Sequence, residues 1–253
     1  MSGLDDALAR LAALPSVLVA SDFDGVLAPI VTRPGDARAL PGTVEVLREL
    51  AALPGTEVAL VSGRSLAGLA AVAQVPPEIR LVGGHGSEFD GDVELQLDPA
   101  AGELHARIAA ELKRLLVGYD GVHLEVKPAS IAVHTRTASR PDAAATMAAV
   151  RSGPAGWPGV RVTEGKEVIE LSVVDTDKGT AVTTLRTRYG ADGVLYLGDD
   201  VTDEHAFAAL AGTDVGVKVG PGETRAGFRV PDPPAVLAML REFLRLRRSR
   251  STA

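Results

Sequence analysis

The chain has 253 residues, 46% hydrophobic and 23% charged, which excludes a disordered polymer and supplies apolar material for one or two buried cores. A formal net charge of -7 argues against a nucleic-acid surface, and the lack of cysteine excludes disulfides, thiol catalysis and thiolate metal sites. No apolar run approaches the roughly 20 residues of a membrane span, and Asp5 and Asp6 stand where a secretory signal needs basic residues. A soluble cytoplasmic protein is expected, a monomer with neither nucleic-acid nor membrane partners.

Leu4, Leu8 and Leu11 recur at helical spacing, and the apolar SVLVA after them predicts a buried strand ending at Ser21 and Asp22. Val44, Leu47 and Leu50 then mark a second helix, TEVALV a second strand, residues 65–72 a helix, and IRLVG a third strand. Strands alternating with helices imply right-handed βαβ crossovers and a parallel sheet. The middle of the chain has a different rhythm. DVELQL reads as a strand and AGELHARIAAELKRLL as an amphipathic helix through Leu104, Ile108, Leu112 and Leu115. VHLEVK and SIAVHTR form a hairpin turning at Pro128 and Ala129, followed by a helix near 141–151, a Gly- and Pro-punctuated loop, and the strands VRVTEG and EVIELSV. The first rhythm then returns with a helix over 178–189, the strand GVLYLGD, a helix from about 203, the strand DVGVKVG and a last helix from about 234. The fold class is α/β: a Rossmann-like core with a parallel sheet over 1–90 and 174–253, interrupted by an α+β insertion over 91–173.

Ligands of parallel sheets bind beyond the carboxyl ends of the strands, and the polar residues of this chain gather at those ends. The first strand ends in SDFDG, placing Asp22 and Asp24 on one face of extended chain, where like charges repel unless a cation or a reaction employs them. The second ends in SGRS, with Ser62; the helix at 178 opens with Lys178; the strand GVLYLG runs into Asp199, Asp200 and Asp203. Each has an ordinary alternative, Ser62 and the aspartates as helix caps and Lys178 as a solvated lysine. Capping alone does not account for all four, in this order, each at a strand end.

The four motifs resemble, in order, those of the haloacid dehalogenase superfamily of phosphotransferases. The resemblance implies that Asp22 is the nucleophile, forming an aspartyl-phosphate, and that Asp24 is the general acid and base. It further implies that Ser62 and Lys178 hold the phosphoryl group, that Asp22, the carbonyl of Asp24 and Asp199 bind Mg²⁺, and that Asp200 and Asp203 support the metal from behind. Val26 stands where that superfamily usually has threonine.

GGHGSEF, EVKPASIAVHTR, GKEVIEL and GDDVTDEHAF, over residues 17 to 230, are similar to the trehalose-6-phosphate phosphatase family. This narrower resemblance implies that the insertion is a specificity cap for a small sugar phosphate. Its substrate contacts would be Glu125, Lys127, Ser130, His134, Arg136, Lys166 and Glu170, with Gly63, Arg64 and His85 contributing from the core. Ser172 and Val173 depart from the basic residue and proline usual in that family. Another sugar phosphate, such as sucrose 6-phosphate or a glucosyl- or mannosyl-glycerate phosphate, stays open as substrate, as does a non-catalytic sugar-phosphate sensor.

Other signals carry less. GGHG lacks the third glycine of a dinucleotide fingerprint, and TEGKEV is no phosphate-binding loop. His105, His123 and His205 have no ligand spacing. Arg241, Arg245, Arg247, Arg248 and Arg250 read as a solvated helix end favoured by the dipole.

Overall fold

The computed structural model describes residues 3–91, 97–165 and 167–251. In chain order the elements are α1 (Gly3–Ala12), β1 (Val17–Ser21), α2 (Thr43–Ala51), β2 (Thr56–Val61), α3 (Leu66–Ala73), β3 (Ile79–Gly83), β4 (Glu88–Phe89), α4 (Pro99–Leu115), β5 (His123–Val126), β6 (Ser130–His134), α5 (Arg140–Ser152), β7 (Arg161–Gly165), β8 (Val168–Ser172), α6 (Lys178–Tyr189), β9 (Gly193–Gly198), α7 (Asp203–Ala209), β10 (Val215–Val219), β11 (Phe228–Val230) and α8 (Pro233–Ser251). The chain divides into two compact units, Met1–Val93 with Thr176–Ala253, and Glu94–Asp175.

The first unit is a seven-stranded sheet in the order β11-β10-β9-β1-β2-β3-β4. Every pairing is parallel except that of β4 with β3. β1 is buried at all five positions because helices cover both faces, and strand alternation divides its side chains between them. Val17 and Val19 pack with Leu8, Leu47, Leu50 and Leu240 on one side; Leu18 and Ala20 pack with Val182, Leu185 and Phe207 on the other. The strand order reverses between β1 and β9, whose registers run together to Ser21 opposite Leu197. The carboxyl ends of these two adjacent strands carry Asp22 and Asp199, which is where an open α/β sheet forms its binding crevice.

The terminal arginines are not all solvated. Arg247 is 2% exposed, and its guanidinium donates to the carbonyls of Ala12, Leu14 and Gly55 and to Thr56 Oγ1 at 2.7 to 3.1 Å. It pins α8 to the entry ends of β1 and β2. Five fixed donors suit a cluster of chain-end carbonyls, and its place on the inward face of α8, one turn beyond Phe243, buries it. Arg245 and Arg248 stay at the surface, paired with Glu242 and Glu49.

The second unit is an antiparallel sheet in the order β5-β6-β8-β7. Ile131, Val133, Ile169 and Leu171 face Ile108 and Leu112 of α4 and Val150 of α5, forming a separate hydrophobic core. The alternate positions, with Glu125, Ser130, His134 and Glu170, make the opposite face polar. The strand expected at DVELQL lies largely outside the described residues. The short β4 and the edge strand β11 had no sequence expectation, being two and three residues long. Among the described residues, no helix is long and apolar enough to cross a membrane.

Candidate active site

Asp22 leaves β1 with its N–H bonded to the Leu197 carbonyl of β9 at 2.9 Å, so the sheet itself fixes its backbone. Its Oδ1 accepts from the Phe23 N–H at 2.6 Å and its Oδ2 from Lys178 Nζ at 2.7 Å. Lys178 is the first residue of α6, whose N-cap is Asp177, and its ammonium is 2% exposed. It also donates to Asp203 Oδ1 at 2.8 Å. A lysine buried this deeply needs anionic partners; although burial works against its charge, Asp22 and Asp203 raise its pKa above the ordinary value.

Asp203 is fully buried and fully occupied. Its Oδ1 accepts from Lys178 and, at 2.7 Å, from the Tyr196 hydroxyl. Its Oδ2 accepts the N–H groups of Asp199 and Asp200 at 3.0 and 2.9 Å. Four donors use all the lone-pair directions of the carboxylate. Asp203 thus organises the loop that presents Asp199 and leaves no oxygen for a cation. Asp200 takes part through its backbone; its carboxylate accepts from the Val201 N–H at 2.7 Å and is exposed.

Asp22, Asp199 and Asp203 each place an oxygen within 4.8 Å of the others. Burial pushes Asp22 up to about 7, Lys178 opposing the rise and Asp203 adding to it. Burial, then the charge of Asp203, pushes Asp199 up to about 6. A carboxylate pair held at such cost, with Asp203 saturated behind it, is an oxygen-donor set that fits a hard divalent cation. The backbone beside it is adapted to close approach. Gly25 has φ +78°, and a Cβ there would fall 2.0 Å from Asp199 Oδ2, so only glycine brings the residue after Asp24 against that carboxylate.

Asp24 is gripped by Arg64, whose Nε and Nη2 donate to its two oxygens at 2.6 and 2.7 Å. Ser62, 2% exposed at the end of β2, accepts the Arg64 N–H at 3.2 Å. His85 adopts a left-handed conformation at φ 55°, and its ring fills the space a Cβ at Gly63 would need, with Cε1 2.4 Å from that position. Asp22, Asp24, Ser62, Gly63, Arg64, His85, Lys178, Asp199 and Asp203 therefore share one end of the sheet.

In the second unit, Ser130 Oγ donates to Glu170 Oε1 at 2.5 Å and Lys127 Nζ reaches the same oxygen at 3.3 Å. His134 Nε2 lies 2.9 Å from Glu125 Oε2. These five residues gather on the polar face of the sheet. Arg136 stands beyond β6, exposed, 3.6 Å from Glu167. Lys166 lies outside the described residues. The sequence reasoning missed two buried groups beside the core cluster. Tyr196, inside the apolar run of β9, donates its hydroxyl to Asp203, and Lys218 donates to the Asp199 carbonyl from β10. A lone lysine inside the strand VGVKV was the available signal, since burial of an ammonium requires a dedicated partner.

The trehalose-phosphatase family model matches residues 20–232. A trehalose-phosphate phosphatase from Mycobacterium tuberculosis (strain H37Rv) is 38% identical, covering 93% of this chain and 64% of its own. One from Mycobacterium marinum is 37% identical, covering 93% and 65%. The chain thus spans a little under two thirds of the length of the curated relatives it matches. The solved structure of Aspergillus fumigatus trehalose-6-phosphate phosphatase superposes with a TM-score of 0.63 at 25% identity, over 95% of this chain and 97% of that one. A haloalkanoate (HAD) superfamily phosphatase from Bacteroides thetaiotaomicron shares the fold, with a TM-score of 0.55 at 15% identity over 92% and 97% of the two chains. With its match running from β1 to beyond β11, the chain belongs to the trehalose-phosphatase family.

Proposed function

We propose that this chain hydrolyses trehalose 6-phosphate to trehalose and inorganic phosphate through an aspartyl-phosphate on Asp22, with magnesium as its metal. Asp22 and Asp199, with the main-chain carbonyl of Asp24, would hold Mg²⁺, which supplies positive charge for the phosphoryl oxygens. The observation that carries the reading is the buried ammonium of Lys178 shared between Asp22 and Asp203. It fixes the nucleophile's Oδ2 and sets a permanent positive charge where a phosphate dianion must approach a carboxylate.

Asp22 attacks phosphorus as the bond to the sugar oxygen breaks, and Asp24 delivers a proton to that oxygen. Trehalose departs, and Asp24 takes a proton from the water that attacks the aspartyl-phosphate, releasing phosphate and returning Asp22 to its carboxylate and Asp24 to its protonated form. Arg64, which binds both oxygens of Asp24 in this structure, holds that carboxyl in place and has to free one oxygen for it to carry the proton, while Ser62 and Lys178 receive phosphoryl oxygens. The polar face formed by Glu125, Lys127, Ser130, His134 and Glu170 recognises the sugar hydroxyls, and Gly63, Arg64 and His85 line the approach. Hydrogen-bonding groups built for particular hydroxyls reject sugars that lack them.

The test is phosphate release from trehalose 6-phosphate beside sucrose, glucose and glucosylglycerate phosphates, with magnesium and with chelator. Preference for trehalose 6-phosphate, lost with chelator and in Asp22→Asn, is expected. Preference for another sugar phosphate would overturn the substrate, and a folded protein inert on the whole panel would favour a sensor.

A further inference from the structure

We propose that His105 is a positioning residue for sugar recognition: it holds the β5–β6 turn from beneath so that Lys127 and Ser130 meet the substrate in register. This rests on the proposed trehalose 6-phosphate reading. His105 sits on α4 at the spacing of Ile108 and Leu112, the residues that pack on the sheet, so its ring points inward with them. Its Nε2 lies 2.9 Å from the Lys127 carbonyl and 3.4 Å from the Ser130 carbonyl. Carbonyls only accept, so Nε2 carries a proton and binds both ends of the turn.

Pro128 has no N–H to donate. Other contacts on the turn are Lys127 N–H to the Ser130 carbonyl at 2.9 Å and, at the Ala129 carbonyl, Val173 N–H at 3.0 Å and the Ser172 hydroxyl at 3.3 Å. The two residues that His105 fixes by their backbones are the two whose side chains converge on Glu170 Oε1. Backbone and side chains are thus anchored from different elements, α4 and β8, and the angle at which the ammonium and hydroxyl are offered depends on both. His105 itself touches no reacting atom. Its loss should be felt as substrate affinity and not as chemistry, because a small displacement of several hydrogen-bonding groups weakens them together.

The experiment compares His105→Leu, which keeps bulk and removes the donor, with His105→Gln, whose amide donates from nearly the position of Nε2. In the full chain, His105→Leu is expected to raise KM for trehalose 6-phosphate about five- to tenfold, the factor for one lost hydrogen bond. Its kcat should stay within twofold, its hydrolysis of p-nitrophenyl phosphate, which has no sugar, should be unchanged, and His105→Gln should restore KM. Equal loss on both substrates, an unchanged KM, or identical behaviour of the two variants would overturn the proposal. Amide hydrogen exchange over 123–134 tests it without substrate: faster exchange in the leucine variant and not in the glutamine variant supports it, and equal protection in all three proteins refutes it. A wild type with no preference for trehalose 6-phosphate would remove the functional reading and leave the exchange measurement to decide this one.

Discussion

Replacing Asp203 by asparagine exchanges two acceptor oxygens for one oxygen and one NH₂. If the amide oxygen stays toward Lys178 and Tyr196, the NH₂ is driven against the N–H groups of Asp199 and Asp200. Two partly buried backbone donors are then left without their acceptor, at up to about 1–3 kcal/mol each. Turning the amide over keeps those two bonds but sets the NH₂ against the ammonium and the phenol, which is worse. In either orientation Lys178 loses one of its two charged partners. The expected loss is about 3–6 kcal/mol, a large part of the 5–15 kcal/mol that a domain commonly has. At 2–4 °C per kcal/mol, the transition of the first unit should fall by about 10 °C.

The observable must be chosen with care, because the single tryptophan, Trp157, belongs to the second unit and is blind to this change. Differential scanning calorimetry reads the unfolding of the whole chain, the first unit included. The same variant should lose at least about a hundredfold in kcat, since Lys178 and the Asp199 loop both depend on Asp203 for their positions. A loss under about 1 kcal/mol with wild-type kcat would show that Asp203 does not organise the site.

Three further outcomes follow from the same contacts. Because Asp22 and Asp199 titrate near 7 and 6 in the fold but near 3.8 when unfolded, the metal-free native state binds more protons across that window. Its stability relative to Asp22→Asn should therefore fall as pH rises from about 4 to 7, and magnesium should flatten the trend; a rise with pH in chelator would contradict it. Arg247→Met should cost about 3–4 kcal/mol, as several chain-end carbonyls lose a charged donor, while kcat stays at the wild-type value. Lys127→Ala should raise KM for the sugar phosphate more than it lowers kcat, and the reverse split would move Lys127 from recognition to chemistry.

Much of this was legible because burial writes itself into local pattern. The runs Val17–Ala20 and Val194–Leu197 could hardly be anything but strands covered on both faces, and the polar residues closing them had to lie at one sheet end. The hairpin followed from Pro128 between two alternating runs. What stayed hidden depends on distance in space. Arg247 looks like its neighbours in sequence, and only the packing of α8 beside β1 and β2 reveals the carbonyls it serves. Arg64 gave no sign that it would grasp Asp24, forty residues away. β4 and β11 were too short to produce a period.

The hydrophobic cluster of the second unit draws all its members from Leu97 to Val174, and no residue in it belongs to the clusters of the sheet that carries Asp22. The stretch that encodes it is continuous, bounded on both sides by core sequence. A single crossover at each edge of that stretch would therefore replace one self-packed body with another and leave every carboxylate of the core in place. On the proposed division of labour, with sugar recognition in this unit, exchanging one uninterrupted segment of about eighty residues would revise which molecule is acted upon while the residues of the core are inherited unchanged.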